Sequence, residues 1–70
     1  MLLMQAQNAS VSWEAQKKRW TVIIRIGGEV IRRPLALPHD AADDALSSMA
    51  VNTARDEGYE LREDLVTIER

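Results

Sequence analysis

Residues Arg19 to Leu37, RWTVIIRIGGEVIRRPLAL, leave the chain little choice but a β-hairpin. Trp20, Val22, Ile24 and Ile26 alternate with Arg19, Thr21, Ile23 and Arg25, the period-two pattern of a strand with one buried face. Gly27 and Gly28 supply a two-residue turn, because glycine enters the positive-φ region at little steric cost. That turn sets a register pairing Ile26 with Glu29, Ile24 with Ile31, Val22 with Arg33 and Trp20 with Leu35. Ile31, Leu35 and Leu37 then fall on the buried side, but so does Arg33. A bulge near Arg32-Arg33-Pro34 would relieve the conflict, and Pro34, with no N–H to give a ladder, marks this strand as an edge.

The flanking segments complete an α+β pattern. Val11, Trp13 and Ala15 alternate with Ser10, Ser12 and Glu14, which predicts a first strand over 10–15, followed by a polar turn at Gln16-Lys17-Lys18. After Pro38-His39, Asp40 is the expected helix N-cap, with Asp43 and Asp44 favoured by the helix dipole in the first turn. Ala42, Ala45, Leu46, Met49, Ala50 and Thr53 recur at spacings of three and four, giving a narrow apolar face able to lie close on a sheet. Gly58 suits a left-handed C-cap, and Leu65-Val66-Thr67-Ile68 reads as a last strand beyond the crossover. The expected fold is a small antiparallel sheet, β-β-β-α-β or β-β-α-β, with one helix packed on one face. Residues 1–9 show no period and are read as a frayed lead-in, an added remnant or a short extra strand, with a single domain over 10–70.

Seventy residues place the chain near the lower limit for independent folding. It has no cysteine, so disulfides, thiolate metal sites and cysteine nucleophiles are excluded, and a second copy or a partner is a natural source of extra stability. Neither a signal peptide nor a membrane span is legible, and the expected location is the cytoplasm. The net charge of −2 hides a division. Residues 1–34 carry six basic groups against two acidic ones, a balance of +4; residues 35–70 carry three against nine, a balance of −6.

No catalytic, metal or cofactor constellation emerges. His39 is the single histidine and sits in a turn, where a general base would need a nucleophile or carboxylate placed by the fold. Ser47 and Ser48 lie in no nucleophile elbow. Asp40, Asp43 and Asp44 lack calcium-loop spacing, and the Gly27-Gly28 pair joins two strands instead of cradling a phosphate at a helix start. The tryptophans read as core, with Trp13 near the edge a lesser candidate for a stacking platform.

The basic residues carry what functional content there is. Lys17, Lys18, Arg19, Ile23, Arg25, Arg32 and Arg33 form the candidate binding set, a cationic surface around an exposed isoleucine on and beside the hairpin. A plain solvated face accounts for the same residues, since edge charges also discourage aggregation. A protein interface ranks ahead of a nucleic-acid interface, because phosphate binding rests on charge neutralisation and the chain is net negative. The acidic groups Asp40, Asp43, Asp44, Asp56, Glu57, Glu60, Glu63 and Asp64 offer the converse surface. The layout looks like that of several small bacterial and phage-encoded proteins, some of which bind and inhibit host enzymes; the resemblance is one of architecture alone. The expectation is a non-catalytic macromolecule-binding module that meets a protein through the basic sheet face or an edge strand. Nucleic-acid binding is the alternative, and a small subunit of an enzyme complex the second alternative. Self-association is compatible with each of these; a membrane partner is not expected.

Overall fold

Alternation in β2 (Asn8–Glu14), β3 (Arg19–Ile26) and β4 (Glu29–Leu35) is realised as an antiparallel meander in the computed structural model, which describes residues 3–69. The sheet is completed by β6 (Val66–Glu69), giving the order β4-β3-β2-β6. The helix α1 (Asp43–Asp56) lies on one face. A short parallel pair joins β1 (Met4–Gln5) to β5 (Tyr59–Glu60), and one 3-10 turn, Glu63–Leu65, leads into β6.

The hairpin register is the expected one, from Ile26↔Glu29 to Trp20↔Leu35. Only Gly27 enters the left-handed region, at φ +54°. No bulge interrupts β4, and the alternation of the ladder explains why Pro34 needs none. With Ile26 and Glu29 as the closing hydrogen-bonded pair, every second position of β4 is non-hydrogen-bonded, and Val30, Arg32 and Pro34 turn their backbone groups outward. The N–H that proline lacks would have pointed away from β3, so the ladder loses nothing.

The sheet is mixed, where an antiparallel one was expected. The helix returns the chain to the starting end after β4, so the next strand runs in the same direction as β4. Because β4 and β2 are both antiparallel to β3, β6 pairs with β2 in parallel, with Ala9 opposite Val66 and Val11 opposite Ile68.

The first strand begins two residues before the expected start, at Asn8, and ends at Glu14. Of the alternatives for residues 1–9, Met4–Gln5 form a short extra strand; Ala6 donates its N–H to the Glu60 carbonyl at 2.8 Å and Gln7 donates to the Arg25 carbonyl at 2.8 Å. Residues 1 and 2 lie outside the described residues.

Asp40 is not the N-cap. The 38–41 segment closes its own turn, with Ala41 N–H on the Pro38 carbonyl at 3.0 Å, and α1 starts two residues later than expected, capped by Ala42 without a side-chain hydrogen bond. The buried stripe is accordingly Leu46, Ala50 and Ala54, with Met49 and Val51 half-buried beside it and Ala42 exposed. Gly58 takes φ +93° and donates to the Arg55 carbonyl, ending the helix as expected.

Between helix and sheet lies one core of Ala9, Val11, Trp20, Val22, Ile24, Leu35, Leu46, Ala50 and Ala54, joined by Ala6, Ile26, Ala41 and Leu61. Ala50 and Ala54 bring α1 close to the sheet, and the large volumes come from the strands and from Leu46 of the helix. At one end Trp20 is fully buried, and its Nε1–H donates to the Pro38 carbonyl at 2.8 Å. Trp13 packs edge-on to Trp20, with ring centroids 5.4 Å apart, and stacks on His39 at 4.3 Å. His39 therefore covers tryptophan, an apolar task for the one histidine.

Candidate binding face

Strand alternation puts Asn8, Ser10, Ser12 and Glu14 of β2, Arg19, Thr21, Ile23 and Arg25 of β3, and Val30, Arg32 and Pro34 of β4 on the face that α1 leaves uncovered. Thr67 and Glu69 extend it on β6. On it a shallow depression of about 330 Å³ is lined by Ile23 with Thr21, Arg32 and Pro34, and reaches Glu14, Lys17 and Arg19 toward the turn between β2 and β3. Ile23 is half-buried, and Val30 at the rim is 55% exposed.

Of the seven residues of the candidate set, Lys17, Arg19, Ile23, Arg32 and Arg33 line this depression, and Lys18 and Arg25 lie outside its lining. Lys17 and Lys18 are exposed in the turn between β2 and β3, Lys18 in a left-handed conformation at φ 52°. Arg19, Ile23, Arg25 and Arg32 share the open face, with Arg32 opposite Ile23 as expected. Arg33 projects to the helix side. It stays exposed at the sheet edge, where Nη2 reaches Glu57 at 2.8 Å just past the helix end. The arginine that seemed misplaced in a buried alternation is thus tied to the C-terminal end of α1.

Most of the remaining cations already have acceptors within the chain. The Arg25 Nη1 group donates to Asn8 Oδ1 and Ser10 Oγ, both at 2.9 Å, which accounts for a serine only 7% exposed on an otherwise open face. Glu14 lies between Lys17 at 3.8 Å and Arg19 at 3.6 Å and accepts a hydrogen bond from the Thr21 hydroxyl. That hydroxyl, with Lys17 and Arg19 adding attraction against some desolvation, holds the Glu14 carboxyl below the usual carboxylate range. Arg32 and Lys18 have no ion pair among the described residues.

The alternation of β2 had placed Glu14 on this face, but its role as the local counter-ion was not legible. The signal was the pairing of Glu14 with Arg19 across a four-residue turn, which follows only once both strand ends are known. Among the described residues no three His, Asp or Glu side chains gather as a metal site, and no helix is long and apolar enough to cross a membrane. Comparison of the chain with protein families, curated proteins and solved structures found no match.

Proposed function

We propose that the chain is a non-catalytic binding module whose partner is a protein, met by the open face of β2, β3 and β4. The observation that carries this reading is the half-buried Ile23 in a depression lined by Arg32 and Pro34, on a face that α1 leaves uncovered and that no other described element packs against. An apolar anchor beside an arginine with no ion pair is the composition that protein interfaces favour at their centres. The engagement of Lys17, Arg19 and Arg25 by Glu14, Asn8 and Ser10 supports a protein over phosphate, because a phosphate backbone would compete with acceptors already in place.

One observation favours nucleic acid as the second reading: the face is rich in hydroxyl, amide and guanidinium groups. Sheets of this kind can enter a DNA groove.

A single experiment separates the two readings. The protein and its Ile23→Asp and Arg32→Glu variants are used for affinity capture from the source cell, and the same three are run in electrophoretic shifts with mixed DNA and RNA at low and high salt. A stoichiometric protein captured by the parent and lost with either folded variant supports the protein reading. A shift that weakens steeply with salt and is lost with Arg32→Glu replaces it with the nucleic-acid reading. Capture unchanged in both folded variants removes this face from the function.

A further inference from the structure

The two outer edges of the sheet are built differently. Along β4 the outward positions are Val30, Arg32 and Pro34; Pro34 offers no N–H, and the Arg32 carbonyl already accepts from Arg33 Nη1 at 2.7 Å. A proline, charged side chains and an occupied carbonyl are the usual means of keeping an edge from pairing with another chain. The β6 edge has less of this protection: no proline, one charged side chain in the exposed Glu69, and one engaged outward group, the Val66 N–H. Val66–Glu69 contains no lysine or arginine, and its register with β2 runs without a bulge; of its outward backbone groups the Val66 N–H is engaged by the Glu63 carbonyl, while the Val66 carbonyl and the Ile68 N–H and carbonyl have no backbone partner among the described residues. Val66 and Ile68, with Leu65 just before them, are only half-buried on the helix side of this edge.

We propose that β6 pairs antiparallel with β6 of a second copy about a two-fold axis at Thr67. The register follows from geometry. Residues directly opposite each other must share a face if the sheet is to continue, so the axis passes through a residue and not between two. An axis at Thr67 sets Val66 against Ile68 of the other copy, twice over, and Thr67 against Thr67. An axis at Val66 or at Ile68 pairs each of these valines or isoleucines with its own copy and leaves the other apolar residue beyond the strand. Only the Thr67 axis joins both half-buried apolar residues in cross-strand pairs, the contacts that stabilise sheets.

The product is a continuous sheet, β4-β3-β2-β6 followed by the same strands in reverse, with both helices on one side and both open faces on the other. Two copies of the basic face then present themselves on one surface, which favours a partner with repeated or extended sites. Four residues a side is a modest contact against the roughly 1,200–2,000 Å² typical of stable interfaces, so the dimer dissociates on dilution.

Sedimentation across a concentration series tests the proposal directly. The parent is expected to pass from monomer to dimer, the folded Thr67→Arg variant to remain monomeric because two guanidinium groups would meet at the axis, and Arg32→Glu, on the other edge, to behave as the parent. The chain has no cysteine, so a Thr67→Cys variant adds a second measurement. Opposed residues of antiparallel strands have Cα atoms roughly 4.5–5.5 Å apart, within disulfide range. Oxidised Thr67→Cys should therefore form a covalent dimer in high yield, and Val66→Cys, whose opposite number is Ile68, should not. A parent monomeric up to millimolar concentration, a dimer indifferent to Thr67→Arg, or equal cross-linking of the two cysteine variants would each overturn the proposal.

Discussion

Glu14 shows how one carboxylate can turn a basic face into a balanced one. Its lowered pKa arises first from the Thr21 hydroxyl and then from Lys17 and Arg19, so the folded protein binds a proton there less readily than the unfolded chain does. A group depressed in the folded state adds stability above its unfolded pKa, near 4.3 for glutamate, and that stability is lost as pH falls through the lower folded value. The parent should therefore lose stability between about pH 5 and about pH 3 more steeply than a Glu14→Gln variant, as read by urea midpoints at the two pH values. Equal slopes would remove Glu14 from the acid response. The same residue marks the limit of what the sequence showed of the site. Alternation alone assigns Arg19, Ile23, Arg25 and Arg32 to one face and Arg33 to the other, whereas the candidate set groups all five on one cationic surface. The acceptors that engage these cations, Asn8 and Ser10 across the strand pair and Glu57 from the helix end, depend on register and on tertiary approach, which period-two counting does not contain.

Elements were more legible than sites, for reasons that differ from one to the next. The hairpin was readable to the residue because a two-residue glycine turn leaves no freedom in register. Its two glycines are nevertheless unequal. Gly27, at φ +54°, has open space around its missing Cβ, so alanine there meets no neighbour and costs only the left-handed backbone, about 1–2 kcal/mol. Gly28 needs no such φ, and Gly28→Ala should cost clearly less; urea denaturation of the pair measures the difference. The sequence favours Asp40 over Ala42 as the cap of the helix, yet the turn closed by Ala41 and the Pro38 carbonyl holds Asp40 outside it. The consequence is an uncapped N-terminus that can be improved. Ala42 is exposed with extended backbone (φ −69°, ψ 152°), the conformation an N-cap serine adopts, so Ala42→Ser should raise stability by about 0.5–2 kcal/mol. No gain in the urea midpoint would mean that the first-turn N–H groups are satisfied in another way.

At the scale of the whole molecule, the question is how seventy residues without a disulfide or a metal cluster among those described remain folded. Much of the core on the helix side is alanine, and the largest fully buried side chains are Trp20, Ile24, Leu46, Val11 and Val22. A core of this size leaves a small margin against chain entropy. Pairing of β6 edges would widen that margin by mass action, since whatever binds only the folded chain stabilises it. Above the dissociation constant, each tenfold rise in concentration adds about 1.4 kcal/mol per dimer, or about 0.7 kcal/mol per chain. For a domain of this length that corresponds to roughly 3–6 °C in Tm. The parent should therefore melt higher as its concentration is raised, and Thr67→Arg should melt at one temperature throughout, matching the dilute parent. Thr67 is exposed on the open face, so the substitution removes no core contact, and a difference seen only at high concentration belongs to the second chain. A parent whose Tm ignores concentration would mean that the core alone holds the fold, with Leu65, Val66 and Ile68 as well covered as the monomer requires.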